Sequence, residues 1–303
     1  MKPTLLYFED ERDAALRLAE ATAFNAAPVA RHRFPDQELR LRLPPNLPAQ
    51  VVIFRSLHQP NEKLVELLLV ARTARELGAR RLTLVSPYLA YMRQDIAFNP
   101  GEVVSQRVVG GFLAELFDDL VTVDPHLHRI HALDEAIPLA NAVALSGAPM
   151  LAALIAGRRK NPLLVGPDAE SAQWVAQAAE VHGWDRGVCS KLRHGDREVE
   201  VALPAGLAVQ GRQVVLVDDV ASSGHTLARA AEALLTAGAA SVDVAVTHAL
   251  FAGDALETVR RAGVGEVWST DCVPHPSNAL PVAPMLAEAL ETIGVAEKTL
   301  PGD

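Results

Sequence analysis

The sequence predicts an α/β protein built from mostly parallel sheets flanked by helices, and three observations carry that expectation. Short apolar runs recur along the chain at 51–54, 82–85, 120–123, 163–165, 214–217, 242–246 and 266–268. Between most of them lie Ala/Leu/Glu/Arg stretches of helical period, at 62–78, 105–117, 169–182 and 226–238. Strand and helix signals in alternation imply βαβ units, hence parallel sheets covered by helices on both faces. The pattern also occurs twice, which predicts two similar domains, 1–145 and 146–303, joined in the Ala/Pro-rich stretch between Pro138 and Pro149.

Taken in order, several of the apolar runs end abruptly in polar, turn-forming residues. These are Arg55-Ser56, Ser86-Pro87-Tyr88, Asp124-Pro125-His126, Gly166-Pro167-Asp168, Asp218-Asp219 and Thr270-Asp271. In open α/β sheets ligands bind beyond the carboxyl ends of the strands, so these ends are where chemistry is expected.

The most informative of them is Val-Val-Leu-Val-Asp-Asp-Val-Ala-Ser-Ser-Gly-His-Thr at 214–226. An apolar run at 214–217 reads as a buried strand, stopped by turn residues. Small residues from Ala221 to Gly224 let backbone N–H groups approach an anion, and Thr226 opens a helix whose N-terminus favours negative charge. Asp218 and Asp219 can each accept hydrogen bonds from a sugar diol. The stretch therefore has the layout of a sugar-phosphate cradle.

Composition narrows the class. The chain has 303 residues, 50% of them hydrophobic, long enough for two domains and too apolar for disorder. No apolar run approaches the length of a membrane span, and the N-terminal stretch lacks the basic start and cleavage site of a signal peptide, so a cytoplasmic protein is expected. Two distant cysteines, Cys189 and Cys272, imply neither a disulfide framework nor structural zinc. A net charge of −9 argues against nucleic acid as partner and requires any phosphate site to be local.

Read together, the strand ends resemble those of the ribose-phosphate diphosphokinases, the enzymes that make 5-phosphoribosyl diphosphate. The likeness rests on Arg33-Phe34-Pro35-Asp36-Gln37-Glu38, on Arg55-Ser56 with Asn61-Glu62, and on Pro87-Tyr88-Leu89-Ala90-Tyr91-Met92-Arg93-Gln94-Asp95. It continues through Asp124-Pro125-His126, Pro167-Asp168-Ala169, Lys191-Leu192-Arg193 and the Asp218–Thr226 stretch, seven matches in order. The resemblance implies two phosphoribosyltransferase-like domains and transfer of the β,γ-diphosphoryl group of Mg-ATP to the 1-hydroxyl of ribose 5-phosphate, releasing AMP.

The same resemblance implies roles residue by residue. Arg93, Gln94 and Asp95 are similar to its ATP-binding segment. Phe34, Asp36 and Glu38 are similar to a segment that reaches the nucleotide of a neighbouring subunit, so a homodimer or larger homo-oligomer is expected. His126 and Asp168 resemble positions associated with Mg²⁺, an ion that keeps most of its waters and needs few protein ligands. Asp218 and Asp219 would hold the ribose hydroxyls, and Ser222, Ser223, Gly224, His225 and Thr226 the 5-phosphate. Lys191 and Arg193 resemble the Lys-x-Arg of a catalytic loop, two cations that would neutralise charge between the entering and leaving oxygens.

The chain also departs from the family pattern. Gln37 stands for the usual glycine, Pro125 for leucine, Glu170-Ser171 for a glycine pair, Ser222-Ser223 for Asp-Thr, and His225 for a small residue. Serine at the first cradle position leans toward the archaeal-type branch. Two alternatives stay open on the sequence: a catalytically silent regulatory paralogue, and a phosphoribosyltransferase using the same cradle, in which the 87–95 and 191–193 segments would have no role.

Overall fold

A computed structural model describes residues 2–127, 129–130, 132–194 and 198–296, with the side chains of 191–200 outside the description. The chain divides into two compact units, Met1–Leu145 with the segment from Pro281 onward, and Ser146–Leu280.

The first unit runs β1 (Thr4–Tyr7), α1 (Arg12–Thr22), β2 (Asn25–Pro28), β3 (Ala30–Arg33), β4 (Leu39–Arg42), β5 (Gln50–Phe54), α2 (Pro60–Glu76), β6 (Arg81–Val85), α3 (Ser105–Leu116), β7 (Asp119–Val123), α4 (Leu133–Ala136) and β8 (Asn141–Leu145). The second runs α5 (Ala148–Arg158), β9 (Leu163–Gly166), α6 (Ala172–His182), β10 (Arg186–Val188), β11 (Ser190–His194), β12 (Glu198–Ala202), β13 (Gln213–Ala221), α7 (His225–Thr236), β14 (Ser241–Ala249), α8 (Ala255–Arg261), β15 (Val264–Thr270) and β16 (Asn278–Leu280). A last helix, α9 (Ala283–Thr292), belongs to the first unit.

Each unit holds one six-stranded parallel sheet, in the orders β2-β1-β5-β6-β7-β8 and β10-β9-β13-β14-β15-β16. Numbered within its own unit, each order reads 2-1-3-4-5-6. Each unit also inserts an antiparallel hairpin between the second and third strands of its sheet, β3–β4 in one and β11–β12 in the other. The twofold recurrence seen in the sequence is thus a repeat of topology.

The central strands are apolar on both faces because helices cover both sides of a parallel sheet. In β5 and β13 the residues Val51, Val52, Ile53, Val214, Val215, Leu216 and Val217 are all at most 1% exposed. Burying each such side chain contributes roughly 1.5–3 kcal/mol, and that is why these runs are so visible in the sequence. The edge strands carry no such signal: β2 is almost wholly exposed, and β8 is only partly buried.

Two expectations are corrected, and one strand comes unannounced. The units divide between Leu145 and Ser146, inside the stretch read as their join, and β8 fills the part of that stretch before the division without a solid apolar run. The run at 214–217 does not stop at the acids: β13 continues through Asp218 and Asp219 to Ala221 alongside β14. Finally, the C-terminal segment does not all lie in the second half. α9 turns Leu286 and Leu290 inward and packs against α1 of the first unit. Arg81 donates to the carbonyls of Ile293 (2.9 Å) and Gly294 (3.3 Å), a cation where the helix dipole is negative.

Candidate active site

In the second unit the strand order reverses between β9 and β13, and the crevice there gathers three of the expected residues. β13 pairs with β9 only as far as Leu216↔Val165, so Asp218 and Asp219 project beyond the end of β9 while still held by β14. Asp168 follows the end of β9 and caps a short 3-10 turn, accepting from the Glu170 backbone N–H at 3.1 Å. Gly166 makes this turn possible, since a Cβ there would lie 2.2 Å from the Ser171 Oγ.

The three acids share a field. Burial pushes the Asp218 carboxyl well above its ordinary value, and the charges of Asp219 and Asp168 add to the shift. Asp218 also accepts the Asp219 backbone N–H at 3.0 Å. Burial and the charge of Asp168 push the neighbouring Cys189 thiol up to about 11, so this buried cysteine is not a nucleophile.

Beyond Asp219 the chain turns into the stretch expected to form a cradle. Gly224 caps α7 with φ +74°, and a Cβ there would meet the Ala255 carbonyl oxygen at 2.8 Å. The turn is braced from behind, where Leu250 and Phe251 donate to the Ala221 carbonyl and Ala252 donates to that of Ser222. Ser223 and His225 are exposed, while Ser222 and Thr226 are half-buried. The first N–H groups of a helix have no helical acceptor, so the start of α7 offers donors to an anion. Acids on one side and backbone donors on the other suit a phosphorylated polyol.

The first unit collects a second group at the ends of β5, β6 and β7. Tyr91, held at φ +64°, donates its hydroxyl to Asn61 on α2. Tyr88 receives the Leu57 N–H on its carbonyl at 2.8 Å, and Pro87 receives that of Val123 at 3.2 Å. Arg93 is exposed, whereas Gln94 is half-buried with its amide bonded to the Ile96 carbonyl. Asp95 is engaged by Arg129 at 2.6 Å, a partner that no sequence spacing announces. His126 lies half-buried after β7.

The β3–β4 hairpin carries Phe34, Asp36 and Glu38 at its tip. Phe34 is 38% exposed, with the His32 ring edge-on at 4.8 Å and the Arg40 guanidinium 5.8 Å from its centroid. His32 and Arg40 face each other across the hairpin, so both strands help to hold the ring. Arg31 and Arg33 anchor the hairpin to α2 through Glu66 (2.6 Å) and Glu62. The spacing matches, because two residues along a strand span about 6.6 Å and one turn of four along a helix about 6 Å. A groove of about 450 Å³ lies beside this tip, lined by Gln37, Glu38, Leu39, Glu62, Val65 and Leu69.

The crevice of the first unit equivalent to the acidic one is filled. Phe8 caps the short turn after β1 as Asp168 does after β9. From the paired residues Leu5↔Val52 and Val165↔Leu216, an equal count along both strands brings Phe8 level with Asp168 and Arg55 level with Asp219. Arg55, fully buried, stacks on the Phe8 ring at 4.2 Å and pairs with Asp10 (2.9 Å), Glu11 (3.1 Å) and Glu66. Lys63 closes the cluster with bonds to Glu11 (3.1 Å) and the Ser56 carbonyl (2.6 Å). Burial pushes Glu11 up despite these cations. At Asp10 burial acts the same way, but Arg55 and Arg31 outweigh it and hold the acid below its ordinary value.

The structure thus brings Asp168, Asp218, Asp219 and Ser222–Thr226 together in one unit, and Arg93–Asp95, His126 and the Phe34 tip belong to the other. Lys191 and Arg193 fall on β11, the hairpin equivalent to β3–β4, but their side chains lie outside the described ones. Among the described residues no three His, Cys, Asp or Glu side chains converge as a metal-binding group. The sequence reading missed Glu66, Asp10 and Arg129. Their signal is only that of ordinary helix and loop charges, and long-range pairing alone reveals their partners.

Comparison with known proteins points one way. Residues 4–116 match the model of the N-terminal domain of ribose phosphate pyrophosphokinase, and residues 140–267 match the phosphoribosyl transferase domain. A ribose-phosphate pyrophosphokinase of Methanopyrus kandleri is 38% identical over 281 residues, covering 91% of this chain and 94% of its own length. The one of Thermococcus kodakarensis is 34% identical, covering 92% and 95%. The crystal structure of phosphoribosylpyrophosphate synthetase from Mycobacterium smegmatis superposes with a TM-score of 0.82 at 22% identity, over 97% of this chain and 99% of that one, a likeness of fold.

Proposed function

The chain belongs to the ribose-phosphate pyrophosphokinase family, and from that premise we propose which of its residues carry the reaction. The reaction is transfer of the diphosphoryl group of ATP to the 1-hydroxyl of ribose 5-phosphate, giving 5-phosphoribosyl 1-diphosphate and AMP. The observation that carries the reading is the acidic crevice at the β9/β13 reversal, with the glycine-capped start of α7 beside it.

Asp218 and Asp219 hold the ribose hydroxyls. A diol donates to a carboxylate, and binding it offsets the burial and the neighbouring acidic charges that raise the Asp218 carboxyl. Backbone N–H groups and hydroxyls from Ser222 to Thr226 hold the 5-phosphate, with Gly224 letting the turn pack directly against α8. Arg93 and Gln94, with the Phe34 tip and its acids Asp36 and Glu38, hold the nucleotide. A ring already braced by His32 and Arg40 offers a face for adenine at little ordering cost. Because the tip is exposed on its own unit, we assign it to the nucleotide of a second copy, so the working form is at least a dimer.

Asp168 in the acidic crevice and His126 in the first unit are the residues we assign to Mg²⁺, an oxygen-preferring ion that keeps most of its waters and that when bound would neutralise charge on the phosphates of ATP. Lys191 and Arg193 act on the charge that builds as the bond to the α-phosphate breaks. In a loose transition state that neutralisation, with alignment, supplies most of the acceleration, and no side-chain base for the 1-hydroxyl is required.

The test is direct. Purified protein incubated with Mg-ATP and ribose 5-phosphate should release AMP and the activated sugar, followed by phosphorus NMR, only when the sugar is present. Nucleotide and sugar binding without turnover would instead identify a regulatory paralogue.

A further inference from the structure

Gln37 sits at the hairpin tip with φ +75°, a backbone conformation that costs a residue bearing a Cβ and that glycine adopts freely. The resemblance has glycine at this position, where this chain carries glutamine. Its side chain, however, is tied at both ends. Arg33 donates from Nη1 to the Gln37 Oε1 at 3.1 Å, and the Gln37 amide donates to the Pro35 carbonyl at 3.3 Å. Arg33 in turn places its other nitrogen on the Glu62 carboxylate of α2. The tip is closed by three further bonds: Phe34 N–H to the Glu38 carbonyl, Gln37 N–H to the Phe34 carbonyl, and Glu38 N–H to the Asp36 carboxylate.

We propose that Glu62, Arg33 and Gln37 form a positioning relay that fixes the Phe34–Glu38 tip in its nucleotide-binding shape. In this chain the relay does by side-chain hydrogen bonds what a glycine does by backbone freedom. The inference rests on the reading that the tip meets the nucleotide. None of the three is a catalytic residue, since none need touch a reacting atom. The deeper pair Arg31–Glu66 anchors the hairpin as a whole, so loss of the outer relay leaves the fold in place and loosens only the tip. Arg33 and Glu62 are 46% and 36% exposed, which limits their weight in global stability and leaves the local conformation as what they control.

The experiment compares steady-state kinetics of the full-length protein and four variants. Arg33→Ala and Glu62→Gln should each raise the KM for ATP about fivefold, the scale set by a strained turn and an exposed charged pair. The KM for ribose 5-phosphate, kcat and the melting temperature should stay near the parent values. The decisive variant is the double Arg33→Ala/Gln37→Gly, in which glycine removes the need for the tie and the KM for ATP should return toward the parent. Phe34→Ala separates the two layers of the argument. If it raises the KM for ATP while Arg33→Ala does not, or if glycine fails to rescue, the relay is overturned and the tip reading stands. If Phe34→Ala leaves the KM for ATP unchanged, the tip reading fails and the relay falls with it.

Discussion

Arg55 stands in the first unit where Asp219 stands in the second, level with each other by the register of two sheets of the same order. One position is filled by a cation buried among acids, and the other carries an acid beside Asp168 and Asp218. The topology supplies two equivalent crevices, and side-chain chemistry makes them unlike. Arg55 is also what makes the first unit depend on its ion pairs. Replacing it by leucine leaves Asp10, Glu11 and Glu66 with only Arg31 and Lys63 against them, and should cost about 3–5 kcal/mol of unfolding free energy. Guanidinium denaturation measures this, and a cost below about 1 kcal/mol would mean that the acids are hydrated after all.

Asp218 trades stability for function. Its carboxyl is raised in the folded protein, so folding favours the protonated form. That contribution is complete below the unfolded carboxylate value and is lost as pH rises through the folded one. Asp218→Asn should therefore melt higher than the parent at about pH 8 and lose that advantage as pH approaches about 4, while activity collapses. Melting curves across that range decide it. An equal shift at every pH would point to packing instead of charge.

His58 works in the opposite sense. Burial, with the charges of Lys63 and Arg55, lowers its imidazole to about 4. The neutral ring is favoured in the fold, so His58 has no effect on stability above its unfolded value of about 6.5 and disfavours folding as pH falls below it. Asn in place of His58 should flatten the stability profile between about pH 6.5 and 4 and leave it unchanged at about pH 8. Urea midpoints at several pH values test this.

Gly224 is held at φ +74° with the Ala255 carbonyl oxygen 2.8 Å from where a Cβ would be. Alanine there should add roughly 1–3 kcal/mol of strain and move the start of α7. The KM for ribose 5-phosphate should rise about tenfold or more, with little change for ATP. A matched rise for both substrates would show that the cradle is not specific to the sugar phosphate.

Lys191 and Arg193 should separate binding from chemistry. Alanine at either is expected to lower kcat about 10²–10³-fold, as removal of one preorganised charge does elsewhere, with the KM for ATP changed by less than about threefold. Comparable losses in the two quantities, read from initial rates, would remove these cations from the transition state.

Much of the fold was legible because parallel strands buried on both faces must be apolar throughout. The runs at 51–54 and 214–217 could hardly be anything else. Edge strands such as β2 and β8 stayed hidden, since they bury too little to need a pattern. The turn at 221–226 was legible because its positive-φ position and close packing on α8 restrict residue type locally, and Gly224 answers to both. The end of β13 was misjudged at Asp218, as acids read like a turn when the neighbouring β14 that holds them cannot be seen.

By itself the sequence determined the two α/β halves and the polar ends of their strands, among them the stretch proposed as the cradle, all of them set by short-range constraints on burial and backbone. Only the tertiary structure decided that the crevice of the first unit is filled by Arg55, that α9 returns to that unit, and that Glu62, Arg33 and Gln37 meet. Those outcomes depend on pairs of charges and apolar faces far apart in the chain, and nothing in a local pattern specifies which distant partner a buried charge will find.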